Sequence, residues 1–256
     1  MSGSLLAPDE PHPVRLLRPA GASDFVLAAD HAGRLIPRAL GDLGLDEHER
    51  GRHIIWDIGI AAVTERLAAL IDATAILQAY SRLVIDCNRA PDHPTSIAAL
   101  SELTAIPGNA GLSDADRAWR RQEIFDPYHA AIRQLLDARQ AAGRRSVLVA
   151  MHSFTPVFKA VARRVEVGVL YHHETTLSRI MLDLLRGGGD LAVGANEPYA
   201  ITDTSDYTVP VHGEGRGIDH VEIEIRQDLI ADAAGQHRWA ERMARLLREA
   251  GRRLTT

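Results

Sequence analysis

The chain has a single cysteine, Cys87, so no disulfide can form within it and no cluster of thiolates can hold zinc. A reducing, cytoplasmic setting is the expectation. No apolar run approaches the roughly 20 residues that a membrane helix needs. Met1 to Pro13 carries Pro8, Pro11 and Pro13 but no charged start leading into an apolar stretch, so no secretory leader is expected. Net charge is −5 and the sequence pI about 6.2, which leaves no global basic field for nucleic acid or an anionic membrane surface. Ser153 lacks the flanking glycines of a serine-hydrolase elbow, and no glycine pattern that cradles phosphate occurs. No internal repeat or low-complexity segment is found. With hydrophobic residues at 46% and charged residues at 25% of 256 positions, the composition suits one globular domain over residues 1–256. An irregular arm is expected over 1–22, with a short strand at Val14 to Leu17, ahead of a main body over 23–256.

What is present begins with Asp24 to Pro37. Phe25, Val26, Leu27, Ala28 and Ala29 form an apolar run that stops at Asp30, His31, Ala32 and Gly33. This reads as a buried parallel strand delivering a histidine to the sheet's carboxyl edge, where open α/β sheets bind ligands. Val147 to Met151 repeats the design into His152 and Ser153. Asp46 to Arg52 reads as a solvated connector, and Ile60, Val63, Leu67, Leu70 and Ile71 recur at helical spacing over Ile58 to Ile71. Thr74 to Leu77 and Leu83 to Ile85 are strand-like, the second ending in Asp86, Cys87, Asn88 and Arg89. Ser113 to Gly143 reads as helix interrupted before Pro127, Val167 to Tyr171 as a strand, and Leu177 to Leu185 as a helix. Ile201 to Gly217 reads as a loop, His220 to Arg226 alternates as a strand, and Trp239 to Leu254 closes with an amphipathic helix. Strands alternating with helices predict an α/β sandwich with a largely parallel sheet.

Two strands ending in histidine suggest one shared site. Catalytic zinc takes three ligands from His, Asp or Glu and leaves a fourth position for water. His31 and His152 suit it, against the alternative of hydrogen-bonded structural histidines. Asp57, after an apolar run at a helix start, is the candidate third ligand, against an ordinary N-cap. His172, His173 and Glu174 form a rival cluster, of which only one member could join the same site. Asn88 and Arg89, with Arg82 nearby, could grip an anion or be surface residues. Glu222 and Glu224 share a strand face, so one is a candidate general base unless the strand is a solvated edge.

Together these stretches resemble the N-formylglutamate amidohydrolase family, specifically its formylglutamate-amidohydrolase-like branch. The resemblance rests on Asp30-His31-Ala32-Gly33 with Ile36-Pro37, Trp56-Asp57-Ile58-Gly59, Ser81 to Arg89, His152-Ser153-Phe154-Thr155-Pro156, Asn196-Glu197-Pro198-Tyr199, and Glu224 to Leu229. It implies a three-layer α/β sandwich with a mostly parallel mixed sheet, phosphorylase/hydrolase-like and related to zinc carboxypeptidases. It further implies a zinc ion on His31, Asp57 and His152, Asn88 with Arg89 on a substrate carboxylate, and Glu224 as base. Arg82 and Tyr199 are added as donors to the substrate. The implied substrate is a small N-acyl amino acid, with neither nucleic acid nor membrane as partner. Two positions depart from the pattern: Arg34 stands where carboxypeptidases carry the acid ligand, and Ala32 where formylglutamate hydrolases tend to have serine.

Overall fold

The computed structural model describes residues 4–202 and 206–255; residues 1–3 of the expected arm and 203–205 of the expected loop lie outside the described residues. Seven strands form one sheet: Val14–Leu17 (β1), Phe25–Ala29 (β2), Thr74–Gln78 (β3), Val147–Phe154 (β4), Val167–Leu170 (β5), Val193–Ala195 (β6) and Asp219–Arg226 (β7). Their spatial order is β1-β3-β2-β4-β7-β5-β6. β3, β2, β4 and β7 run parallel to one another, β1 runs against β3, and β5 with β6 runs against β7. The expected mixed, mostly parallel sheet is therefore present.

Alternation of side chains along each strand supplies both faces of the sheet. Leu27, Val149 and Ile223 point into a core shared with the helices Ile60–Ile71 (α1), Thr176–Gly187 (α4) and Ala233–Arg253 (α5). Val26, Ala28 and Leu148 point the other way, onto Tyr128, Ile132 and Leu136 of Asp126–Ala141 (α3). The result is three layers, helix on sheet on helix. Between Asp114–Arg120 (α2) and α3, the chain passes through a π-helical turn at Arg121–Phe125, which is where the interruption before Pro127 was expected.

Three local expectations change. Leu83 to Ile85 is not a strand: Ser81 turns the chain, its hydroxyl donating to the Ile55 carbonyl and accepting from the Leu83 N–H, while the Val84 N–H returns to the Ser81 carbonyl. Side-chain hydrogen bonds of this kind compete with a ladder. The Asp46 to Arg52 connector contains a helical turn, Glu47–Arg50, capped by the Asp46 carboxylate. Within the expected Ile201 to Gly217 loop, Val209–Gly213 and Glu214–Arg216 are helical turns. No helix among the described residues is long and apolar enough to cross a membrane.

Candidate active site

The register of β2 and β4 aligns Ala28 with Ala150, so the chain leaving β2 brings Asp30 and His31 alongside His152 at the carboxyl edge. Gly33 is needed where the chain turns past β3, since a Cβ there would lie 2.0 Å from the backbone of Ala79. Asp57 joins from the turn before α1, its N–H donating to the His31 carbonyl at 2.9 Å. It is not the N-cap of that helix. Gly59, at a φ of 84°, holds that position, and the Asp57 carboxylate is turned inward. There Oδ2 lies 2.9 Å from His152 Nδ1 and accepts the Ser153 N–H at 3.1 Å, while Oδ1 lies 3.6 Å from His31 Nδ1. The two imidazoles meet edge to face, 4.9 Å between centroids.

Both histidines present Nδ1 toward Asp57 and are backed at Nε2 by another carboxylate. His31 Nε2 is 2.7 Å from Asp86 Oδ1, and His152 Nε2 is 3.3 Å from Asp30 Oδ2. Each backing group is itself held: Asp86 Oδ2 accepts from Arg82 at 2.7 Å, and Asp30 Oδ1 from the Thr208 hydroxyl at 2.8 Å. The His31–Asp86 hydrogen bond is of the kind that orients a metal-ligating imidazole, whereas His152 and Asp30 are held at an ion-pair distance without a hydrogen bond between them. Donor atoms of His31, Asp57 and His152 lie within 4.8 Å of one another, and His31 Nδ1 is buried without a hydrogen-bond partner. The residues present can therefore hold a metal ion.

Electrostatics point the same way. Burial penalises every charge here, yet His31 and His152 hold Asp57 below its ordinary range, and Arg82 with His31 does so for Asp86. Burial and Arg82 push His31 down, but Asp86 and Asp57 outweigh them and raise it. His152 is raised likewise against burial, by Glu222, Asp30 and Asp57. The buried carboxylates create a demand for positive charge, which a proton on each imidazole or a metal cation satisfies. Burial dominates at the glutamates: Glu224 is raised to about 8 and Glu222 well above its usual range.

β7 is an interior strand between β4 and β5, so the edge-strand alternative for Glu222 and Glu224 does not hold; both are buried. Glu224 pairs with His152 across the parallel register. A cavity of about 510 Å³ opens here, and His31, Asp57, Arg82, Asn88, Arg89, His152, Tyr199 and Glu224 all line it. Arg82 also approaches Asp57 Oδ1 at 3.6 Å, and Arg89 Nε lies 3.8 Å from Asp86 Oδ2. Asn88 serves the wall itself: its amide NH2 donates to Asp206, and its carbonyl oxygen accepts the Tyr207 and Thr208 N–H groups, each at 3.0 Å. The Tyr199 hydroxyl accepts from Arg163 at 2.7 Å.

His172 and His173 are not brought here, because β5 runs against β7 and ends at the opposite edge of the sheet. There they meet Glu214 rather than Glu174, which pairs with Arg179 on the surface. Sequence reasoning gave no role to Asp30, Asp86, Asp206 or Arg163. Asp30 could have been found by parity, since it continues the face of Val26 and Ala28 one step beyond the strand.

A layered α/β fold thus gathers a buried His–Asp–His cluster, able to hold a metal ion, at the carboxyl edge of its parallel strands. Residues 23–231 match the family described as N-formylglutamate amidohydrolase. The chain belongs to the N-formylglutamate amidohydrolase family, and is thus a hydrolase acting on C–N bonds other than peptide bonds. Among solved structures it is similar to gene product Atu2144 from Agrobacterium tumefaciens, at 36% identity over 98% of this chain and 100% of that one, with a TM-score of 0.95. It is also similar in fold to the N-formylglutamate amidohydrolase of Ralstonia eutropha JMP134, at 22% identity, 94% and 97% coverage and a TM-score of 0.67. A metallo-carboxypeptidase from Burkholderia cenocepacia aligns over 96% of this chain and 62% of that one, at 12% identity and a TM-score of 0.41. A search among curated proteins returns no match.

Proposed function

We propose that the chain is a zinc-dependent amidohydrolase that cleaves the amide of an N-formyl, or other N-acyl, amino acid, N-formylglutamate being the type substrate. The observation that carries this is the convergence in one cavity of His31, Asp57 and His152 with a buried glutamate and two arginines. His31, Asp57 and His152 would hold the metal, with Asp86 and Asp30 fixing the imidazoles. Zinc bound there supplies Lewis acidity toward a carbonyl and acidifies water.

Glu224 takes the proton of the attacking water on a carboxylate oxygen and delivers it to the leaving nitrogen. Burial raises its pKa to about 8, and the positive charge of a bound cation nearby would favour the carboxylate form that accepts the proton. Arg89 holds the substrate carboxylate, with the amide N–H of Asn88 that is not given to Asp206 beside it, and so positions the scissile bond. Arg82, half-buried between Asp57 and Asp86, would stabilise charge developing on the acyl oxygen. Tyr199 donates to the substrate from the cavity rim.

Elemental analysis of purified protein, of His31→Ala and of His152→Ala, followed by a panel of N-formyl, N-acetyl and dipeptide substrates, tests this reading. Zinc lost in both variants together with formyl-amide hydrolysis is the expected outcome. Protein that takes up no metal after reconstitution, or loaded protein that leaves a bound acyl amino acid intact, overturns it. An Asn88→Ala/Arg89→Ala enzyme with unchanged KM would remove the carboxylate assignment.

A further inference from the structure

The antiparallel pairing of Glu222 with Leu170 carries the end of β5 to the start of β7, at the sheet edge away from the cavity. His172 and His173 follow β5, His220 opens β7, and the helical turn Glu214–Arg216 lies over them. We propose that His172, His173, His220 and Glu214 form a second metal site, separate from the first, for a divalent first-row ion of the zinc type.

The central observation concerns His220, which is 5% exposed. Its Nδ1 lies 2.8 Å from the Ile218 carbonyl, an acceptor only, so Nδ1 is the donor there and Nε2 is the ring atom left to face Glu214. That Nε2 is buried without a hydrogen-bond partner and faces Glu214 Oε1 at 3.7 Å. The same Glu214 oxygen accepts the His173 N–H at 3.3 Å, and at 3.7 Å the imidazole nitrogen and the carboxylate are spaced for a shared cation rather than a direct hydrogen bond. His172 Nδ1 approaches the other Glu214 oxygen at 3.2 Å, and one donor atom each from His172, His173 and Glu214 fall within 4.8 Å of one another. His172 and His173 pack ring on ring, 4.1 Å between centroids, which brings the exposed His173 to the same spot.

The backbone is shaped for this approach. A Cβ on Gly213 would lie 2.7 Å from His220 Cβ and Cγ, so only glycine lets the turn bearing Glu214 seat on the imidazole. Imidazole nitrogens with one carboxylate suit zinc, copper or nickel rather than magnesium or calcium. The cluster shares no residue with His31, Asp57 and His152, so the two sites can be emptied separately. A metal here would tie the end of β5 to the helical turns at 209–216. The start of that segment, at Tyr207 and Thr208, is clasped to Asn88 and Asp30 in the cavity wall.

The test is isothermal titration of the chelator-stripped full chain with Zn²⁺, with elemental analysis of the product. His31→Ala removes the first site and leaves the second as the remaining zinc uptake. Combining it with Glu214→Gln or with the surface change His173→Ala should abolish that uptake, with circular dichroism confirming the fold. In an otherwise native chain, Glu214→Gln should lose one zinc equivalent and keep amide hydrolysis. Saturable uptake in His31→Ala that survives both added changes overturns the proposal. So does a His31→Ala chain that takes up no zinc, which would leave the cluster an ion pair only. Neither result bears on the hydrolase reading.

Discussion

Replacing Asp86 tests how the candidate metal centre is built. Its Oδ1 meets His31 Nε2 at 2.7 Å, and its Oδ2 accepts from Arg82 at 2.7 Å. A hydrogen bond to a charged group contributes about 1.5–3 kcal/mol and a neutral one about 0.5–1.5. Asp86→Asn keeps an oxygen acceptor but loses the charge, so about 1–2 kcal/mol of ligand orientation and basicity is lost, or about 5–30-fold in zinc affinity. Asp86→Ala removes the acceptor and should reach the upper end of the roughly 10–100-fold range for outer carboxylates. Asp30→Asn should cost less, because its contact with His152 is longer, at 3.3 Å. Competition for zinc against a chromophoric chelator at neutral pH measures all three. Zinc binding by Asp86→Asn within about twofold of the native chain, or an Asp30→Asn weaker than Asp86→Ala, would rule out Asp86 as the group that orients His31.

Glu224→Gln should leave zinc content unchanged and lower kcat by about 10²–10⁴-fold on the best N-acyl substrate; a loss under about tenfold would transfer the role of base to Glu222. Acid should destabilise the fold through the buried, stacked pair His129 and His212, whose pKa values burial depresses to about 4 and about 3. The native state then binds fewer protons than the unfolded chain below pH about 6.5. Stability is full above that value and falls as pH drops toward 4, by about 3 kcal/mol from His129 alone. Denaturant unfolding across this range should show a shallower slope in His129→Gln, and an unchanged slope would refute the assignment. Gly59→Ala should lower stability by about 2–4 kcal/mol in a melting experiment, because φ is 84° and the new Cβ would lie 2.2 Å from the Ile230 carbonyl oxygen. A native-like Tm would mean that the turn delivering Asp57 repacks freely.

The two histidine-bearing strand ends were legible because buried parallel strands are continuous apolar runs, and His31 and His152 stand where those runs stop. Asp57 was readable only in part: a carboxylate before a helix looks like a cap, and what distinguishes it is Gly59 holding the cap position. Alternation at Glu222 and Glu224 is the same for a solvated edge and for an interior strand, so their burial waited on the strand order. The His172–His173 pair looked equivalent to the other two histidine clusters, and the reversed direction of β5, which no local pattern encodes, moves it to the far edge. The backing roles of Asp30 and Asp86 are relations between segments, visible once register places each beside its imidazole.

The clasp between Asn88 and the backbone at Tyr207 and Thr208 also makes the cavity depend on the last third of the sequence. Its hydrogen bonds join positions 119 and 120 residues apart, and the Asp30 to Thr208 bond spans 178. Closing chain segments of that length costs conformational entropy, which these hydrogen bonds help to offset. A growing chain that has passed β4 already holds His31, Asp57 and His152, yet has neither the glutamates of β7 nor the wall that encloses them. Changes that loosen the backbone at Tyr207 and Thr208 should therefore open the cavity wall without touching His31, Asp57 or His152.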